Sequence, residues 1–292
     1  MICPLCPSGH SPLDLLPLCT TPENYPPPPL AQPRTNGPPR LTDTFWRHAA
    51  LFFFFFRACL PFLWYTLVTM PRYARVNVPN AAHHVYQRSI NDQAVFTSEK
   101  DRRVYLQLLR KNAHQYNLDI LAYCLLRDCV HLVVIPRQHD SLAKAVGRTH
   151  YGYAQYYNQR RGFEGRLWRN RFQSCPLDDR YKRAAVKFVE LQPLYRRLVR
   201  EPGKYRWSSA ACRYNGQDPY DLLNKKLWPA SVTPQKWRTF LKTKLDEEIR
   251  DKIRMYTQTG RPLGTAHFVA NLEKKFHRRL HPMPVGRPPH KN

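Results

Sequence analysis

Two residues able to hold a soft metal ion stand two positions apart in the run Arg127-Asp128-Cys129-Val130-His131-Leu132-Val133-Val134-Ile135-Pro136. A thiolate beside an imidazole suits an ion such as zinc. What the pair can do depends on the element beneath it. Leu132 to Ile135 are apolar and mostly β-branched, and Pro136 closes the run, so a buried strand is expected. On a strand, residues i and i+2 share a face. Cys129 and His131 then lie side by side, and Val130 turns the other way into the core. The pair equally fits a plain interior, a buried free thiol next to a hydrogen-bonded core histidine.

Charge points to the partner. The chain has 292 residues, 47 of them Lys or Arg and 21 Asp or Glu, for a net charge of +26. Residues 1–69 hold only Arg34, Arg40, Arg47 and Arg57 against Asp14, Glu23 and Asp43. Nearly all the excess positive charge therefore belongs to the remainder. Basic residues interleaved with aromatics along a whole body are the electrostatic footprint of a nucleic-acid binder, ahead of an anionic membrane. The eight cysteines form no disulfide framework. Cys3-Pro-Leu-Cys6 lacks a second CxxC to complete a zinc site, and a reducing cytoplasm fits best.

Residues 1–40 are proline-laden and read as disordered or polyproline II. An apolar block from Ala49 to Val68 has about the length of a membrane span. Arg57 near its middle and Pro61 disfavour that. Charge balance switches abruptly at Met70. The expectation is that translation begins there and that residues 1–69 are an over-extended gene model; a membrane anchor over 49–69 is the alternative.

The elements that must position the pair follow in order. His83 to Arg88 reads as a strand, with His83 and His84 on opposite faces, so that both cannot ligate one ion. Arg88, at the following turn, suits a phosphate contact. Thr97 or Ser98 caps a helix ending near Asn117, with Val104, Tyr105, Leu108 and Leu109 on its core side. Leu118 to Leu126 is the next strand. Ser141 to Asn158 is a second helix, whose Tyr151, Tyr153, Tyr156 and Tyr157 either stack on unpaired bases or fill the core. In Gly162-Phe163-Glu164-Gly165-Arg166-Leu167-Trp168-Arg169-Asn170-Arg171-Phe172, three arginines alternate with aromatics. That pattern suits clamping a nucleic-acid backbone. Asp178 to Leu191 is a helix, and residues 233–258 form a helical stretch started by Thr233-Pro234.

Several of these segments carry a family resemblance. HHVYQR, LDILAYCLLRDCVHLVVIP, GRLWRNRF, FVELQP and YRWSSA, in that order, resemble the single-tyrosine HUH transposases of the insertion-sequence-200 type, among them the REP-associated tyrosine transposases. The likeness covers about residues 70–215. It implies an α+β fold: a ferredoxin-like antiparallel sheet with flanking helices, here with a C-terminal helical extension. It also implies a His-hydrophobic-His metal site on the central strand, a tyrosine nucleophile on a later helix, and single-stranded hairpin DNA as substrate. At the first histidine of the pair this chain has Cys129, and at the nucleophile position it has Phe188. Phenylalanine has no hydroxyl to form a phosphotyrosine bond. Tyr181 lies two turns up the same helix, about 10 Å away, and Tyr195 follows Pro193. Gln192 stands where the family has Asn, which makes Cys129, His131 and Gln192 the implied metal ligands. The family ion is magnesium or manganese, and Cys129 admits zinc.

Thr259 to Phe276 reads either as two helices around a Gly-bearing turn, compatible with helix-turn-helix DNA reading through Arg261, or as a helical hairpin packed on the body. Gly286-Arg287-Pro288 resembles the core of an AT-hook, with Arg287 in the minor groove. The expected organisation is therefore an N-terminal extension over 1–69, an HUH domain over 70–215, a helical linker over 216–258, and a helix-turn-helix-like segment with a basic tail over 259–292. The expected function is a transposase-family protein that binds single-stranded hairpin DNA, with cleavage impaired by Cys129 and Phe188. The alternatives are an active transposase using another tyrosine and a non-catalytic DNA-binding repressor. The DNA-binding residues are Arg88, Arg166, Trp168, Arg169, Arg171, Arg261 and Arg287. A cytoplasmic, nucleoid-associated protein that can form homodimers completes the expectation.

Overall fold

The computed structural model describes residues 75–224, 226 and 233–281. The N-terminal extension, the apolar block over 49–69, the Cys3/Cys6 pair and Arg287 lie outside the described residues.

Four strands form one antiparallel sheet: β1 Ala82–Arg88, β2 Leu118–Leu125, β3 Cys129–Pro136 and β4 Gln173–Leu177. Their order is β2-β3-β1-β4, with helix α1 (Glu99–Gln115) between β1 and β2 and α2 (Ser141–Arg161) between β3 and β4. This is the ferredoxin-like arrangement. Every residue of β3 is buried, because the strand is central and covered on both faces. That explains its near-continuous apolar run.

One face turns Val85, Val130, Leu132 and Val134 toward α1 and α2. The start of α1 is fixed by a capping box in which the Ser98 hydroxyl accepts from the Asp101 amide and the Asp101 carboxylate accepts from Ser98 N at 2.8 Å. Capping of this kind satisfies amides that the first turn leaves orphaned. The other face turns Cys129, Val133, Ala122, Cys124 and Cys175 toward α3 (Asp179–Glu190). Asp178 caps α3 by accepting from Tyr181 N at 2.9 Å. A single turn, α4 (Gln192–Tyr195), follows, then α5 (Ser209–Asn215).

The helical stretch expected over 233–258 is two helices, α6 (Pro234–Lys242) and α7 (Glu247–Thr259). Extended backbone at Thr243 ends the first, and Asp246 caps the second. Helical periodicity alone does not register such a break when both pieces keep apolar faces toward one core. α7 packs on β1 and β4. Gly260, at φ 69°, ends it in the left-handed conformation that glycine adopts at least cost. Residues 261–263 then run along β4, where Leu263 N donates to Pro176 O at 2.8 Å. α8 (Ala266–Phe276) buries Val269 and Leu272 against Val76 and Val78. α7 and α8 are thus a helix pair packed on the body, and the turn between them runs along β4.

Both sheet edges are covered from within the chain. Leu263 lies beside Leu177 of β4, and Leu223 beside Ile120 of β2. Covered edges leave no row of free amides for another strand. Among the described residues no helix is long and apolar enough to cross a membrane.

Candidate nucleic-acid interface and the histidine site

Register brings the reactive side chains together. β1 pairs with β3 so that Tyr86 faces His131 and Arg88 faces Cys129. The strand period then puts His84, Tyr86 and Arg88 on the same face as Cys129 and His131. His83, on the opposite face, is satisfied by backbone: its Nδ1 lies 2.9 Å from Ala81 O and its Nε2 accepts from Val78 N at 3.2 Å. Burial lowers its pKa to about 4.

His131 is enclosed by rings. His84 stacks at 5.5 Å between centroids, Tyr86 tilts over it at 4.7 Å, and Phe188 meets it edge-on at 5.8 Å. Phe188 also meets His84 edge-on at 5.4 Å, and the Arg254 guanidinium lies 5.9 Å from its ring. Burial holds His84 down at about 3. Burial comes first in lowering His131 well below the ordinary histidine range, followed by its neighbours His84, Arg196 and Arg254. Both imidazoles are therefore neutral at physiological pH. His84 Nε2 sits 3.3 Å from His131 Nδ1, and His84 Nδ1 sits 2.7 Å from the Thr257 hydroxyl on α7.

The implied metal ligands do not form a site for a hard divalent ion. Cys129 is buried, and burial first, then Asp128, pushes its thiol up to about 12. The Arg196 guanidinium stands 3.8 Å from its sulfur and 3.7 Å from the Asp128 carboxylate, so a cationic group already occupies that side. Gln192 is buried with its amide nitrogen donating to Phe188 O at 3.0 Å. Where the family pair has a second imidazole this site has a thiol, a soft ligand that suits zinc and not the hard magnesium or manganese ions. No group of three or more His, Cys, Asp or Glu side chains is placed to hold a metal ion among the described residues.

The expected substitute nucleophile is not brought to the pair. Tyr181 sits in the first turn of α3, and the rings against His131 are His84, Tyr86 and Phe188. Tyr195 is half-buried, with the Arg250 guanidinium 5.9 Å from its ring. Tyr86, His84 and Thr257 were missed at the level of sequence. Alternation alone puts His84 and Tyr86 on one face, but their place beside His131 needs the strand register.

A basic cleft adjoins this cluster. A depression of about 670 Å³ is walled by residues 166 and 168–174 on one side and Thr257 to Gly260 on the other. A second, of about 350 Å³, continues it past Arg169 and Asn170 to Tyr86, Gln87 and Arg88. Arg166, Arg169 and Arg171 are exposed and make no ion pair among the described residues. Arg75 donates twice to Phe172 O and lies 3.8 Å over the Phe172 ring. Burial first, then the nearby Arg171 guanidinium, brings Arg75 down to about 10. Two wall groups, Gln173 Oε1 and Ser174 Oγ, are buried without a hydrogen-bond partner among the described residues.

The aromatics between the arginines face inward. Trp168 donates from Nε1 to His150 O at 3.0 Å and tilts against His150 at 5.0 Å, while Phe172 is buried. Trp168 thus fixes the arginine-bearing loop to α2. Tyr153, Tyr156 and Tyr157 likewise bond inward through their hydroxyls, to Val95 O, Asp101 and Ala94 O; only Tyr151 of the four is exposed. Arg88 pairs with Asp92 and stands 3.7 Å from Asp128 at the cleft's far end. Arg261 is half-buried in the turn after α7, where its amide donates to Tyr256 O at 3.1 Å.

Residues 77–192 match the family model described as Transposase IS200 like. No curated protein matches the chain. Among solved structures, the chain is similar to a REP-associated tyrosine transposase bound to a REP hairpin, with 16% identity over 56% of this chain and 94% of that one, at a TM-score of 0.43. It is also similar to a protein assigned as a transposase, from Deinococcus radiodurans R1, with 20% identity over 41% and 97% of the two chains, at a TM-score of 0.30. The family is one of DNA transposition with metal-dependent HUH chemistry. Over residues 77–192 this chain is similar to the IS200-like transposase family.

Proposed function

We propose that this protein binds single-stranded DNA folded into a hairpin, in the cleft between residues 166–174 and the end of α7, and that it does not cleave that DNA through a phosphotyrosine. The observation that carries the reading is the row of exposed, unpaired Arg166, Arg169 and Arg171, held in place by the inward packing of Leu167, Trp168 and Phe172. Guanidiniums free of acidic partners are available for phosphates, and their binding releases counterions. Arg88 belongs to the far end of the cleft.

Loss of cleavage rests on Phe188. The position on α3 that faces the histidine pair bears a ring without a nucleophile. The donor set at Cys129, His131 and Gln192 supports neither magnesium nor manganese, so the reading routes no step through an ion. It places the chain among proteins that occupy the hairpin rather than process it. Such occupancy suits a regulator of its own or related elements, working in the cytoplasm on the nucleoid.

The test is binding of a labelled hairpin oligonucleotide, compared with an unstructured strand and a blunt duplex, with chelator present and at two salt concentrations. Preference for the hairpin, weakened by salt, is expected. Equal affinity for all three, or a requirement for added divalent ion, would overturn it.

A further inference from the structure

α7 lies beyond the residues that match the family model, yet its last buried side chain touches the histidine pair. The hydrogen positions there follow from geometry. Thr257 Oγ1 is 2.6 Å from Ile253 O. Two oxygens that close need a proton between them, and a carbonyl has none, so the Thr257 hydroxyl donates to Ile253. Its one hydrogen is then spent. At 2.7 Å from the same oxygen, His84 Nδ1 must be the donor. A neutral imidazole carries one N–H, so His84 Nε2 is bare and accepts. Across 3.3 Å the donor is therefore His131 Nδ1, in a long hydrogen bond. The relay runs one way, from His131 through His84 and Thr257 to Ile253, through groups that are all buried.

We propose that Thr257 is a positioning residue, which through His84 holds His131 in the tautomer with Nδ1 protonated and Nε2 unprotonated. Without a fixed partner a neutral histidine interconverts between tautomers, so the hydroxyl on α7 decides what His131 offers. His131 is buried behind Tyr86, which lines the cleft that the DNA-binding reading assigns to the hairpin, and its Nε2 there is an acceptor with no proton to give. The next residues, Gln258 and Thr259, border that cleft, so the same turn of α7 serves both the DNA wall and the histidine relay.

The tautomer is measurable on DNA-free protein, independently of whether hairpins bind. The full chain is labelled with 15N-histidine, and long-range 15N–1H spectra are recorded at neutral pH. His131 is assigned from the peaks lost in His131→Gln. The native chain is expected to show His131 and His84 each with a protonated-type Nδ1 and an unprotonated-type Nε2. Thr257→Val is expected to lose that single pattern at both residues, and Thr257→Ser to restore it. A protonated Nε2 on His131 in the native chain overturns the proposal. So does an unchanged spectrum in Thr257→Val, or a folded Thr257→Ser that fails to restore the native pattern. Should Thr257→Val not fold, the native and Thr257→Ser spectra still decide.

Discussion

Phe188 of α3 meets His131 of β3 edge to face, with ring centroids 5.8 Å apart. On the function proposed above, Phe188 stands where an active relative would carry the attacking hydroxyl and lacks only the oxygen. Incubation with a labelled hairpin and manganese, magnesium or zinc is expected to give no covalent protein–DNA adduct on a denaturing gel. A Cys129→His, Phe188→Tyr double variant is expected to give one. An adduct from the native chain would contradict the assignment, and mapping it would identify the attacking tyrosine.

The arginine row makes a quantitative prediction. Removing one phosphate contact lowers the slope of log affinity against log salt by about 1. Arg166→Ala, Arg169→Ala and Arg171→Ala are each expected to do so, and the triple variant to lower hairpin affinity by an order of magnitude or more at moderate salt. Fluorescence anisotropy across a salt series reads both quantities. Unchanged slopes would place the DNA elsewhere.

Glu190 is fully buried, and one of its oxygens accepts from Ser209 at 2.6 Å and from Arg213. Its other oxygen accepts from Trp237 Nε1 at 2.6 Å, tying α3 to α5 and α6. Breaking a buried charge pair by removing one partner costs about 3–5 kcal/mol. Glu190→Ala is expected to lower the urea midpoint accordingly, without a change in hairpin preference at temperatures where the variant stays folded. A loss below about 1 kcal/mol would mean that the network relaxes around the gap.

Buried histidines set an acid limit. Burial lowers His83 to about 4 and His84 to about 3. Burial, aided by Arg75, lowers His150 to about 3. In the unfolded chain these groups return toward 6.5. Between the two values the unfolded chain binds more protons than the folded one, so stability present above that range falls as pH drops through it. Each histidine contributes about 1.4 kcal/mol per pH unit within its window. Thermal unfolding midpoints are expected to be level near pH 7 and to fall steeply from about pH 6.5 toward pH 4. A level midpoint down to pH 4.5 would show that these imidazoles are solvated.

Much of the domain was legible in the chain. Alternation, caps and apolar runs place three of the four strands and the first helices, because a residue's face within one element depends only on local backbone period; the short β4, Gln173–Leu177, carries no such pattern and was not legible. The basic body and the spacing of Arg166, Arg169 and Arg171 mark a nucleic-acid partner for the same reason: charge is additive along the chain. Phe188 and Cys129 carry the expectation of altered chemistry through the family resemblance, which says which residue types to compare them with.

Other features were decided only by tertiary structure. That Tyr86 faces His131, and that His84 lies beside them, depends on how β1 registers against β3, which no single strand encodes. Trp168 turns inward because α2 offers it a carbonyl and the faces of His150 and Tyr153. The break at Thr243 and the docking of α7 bring Thr257 to His84 across 173 residues of sequence. A hydrogen bond that remote, with the tautomers it imposes, exists only once the core has closed around it.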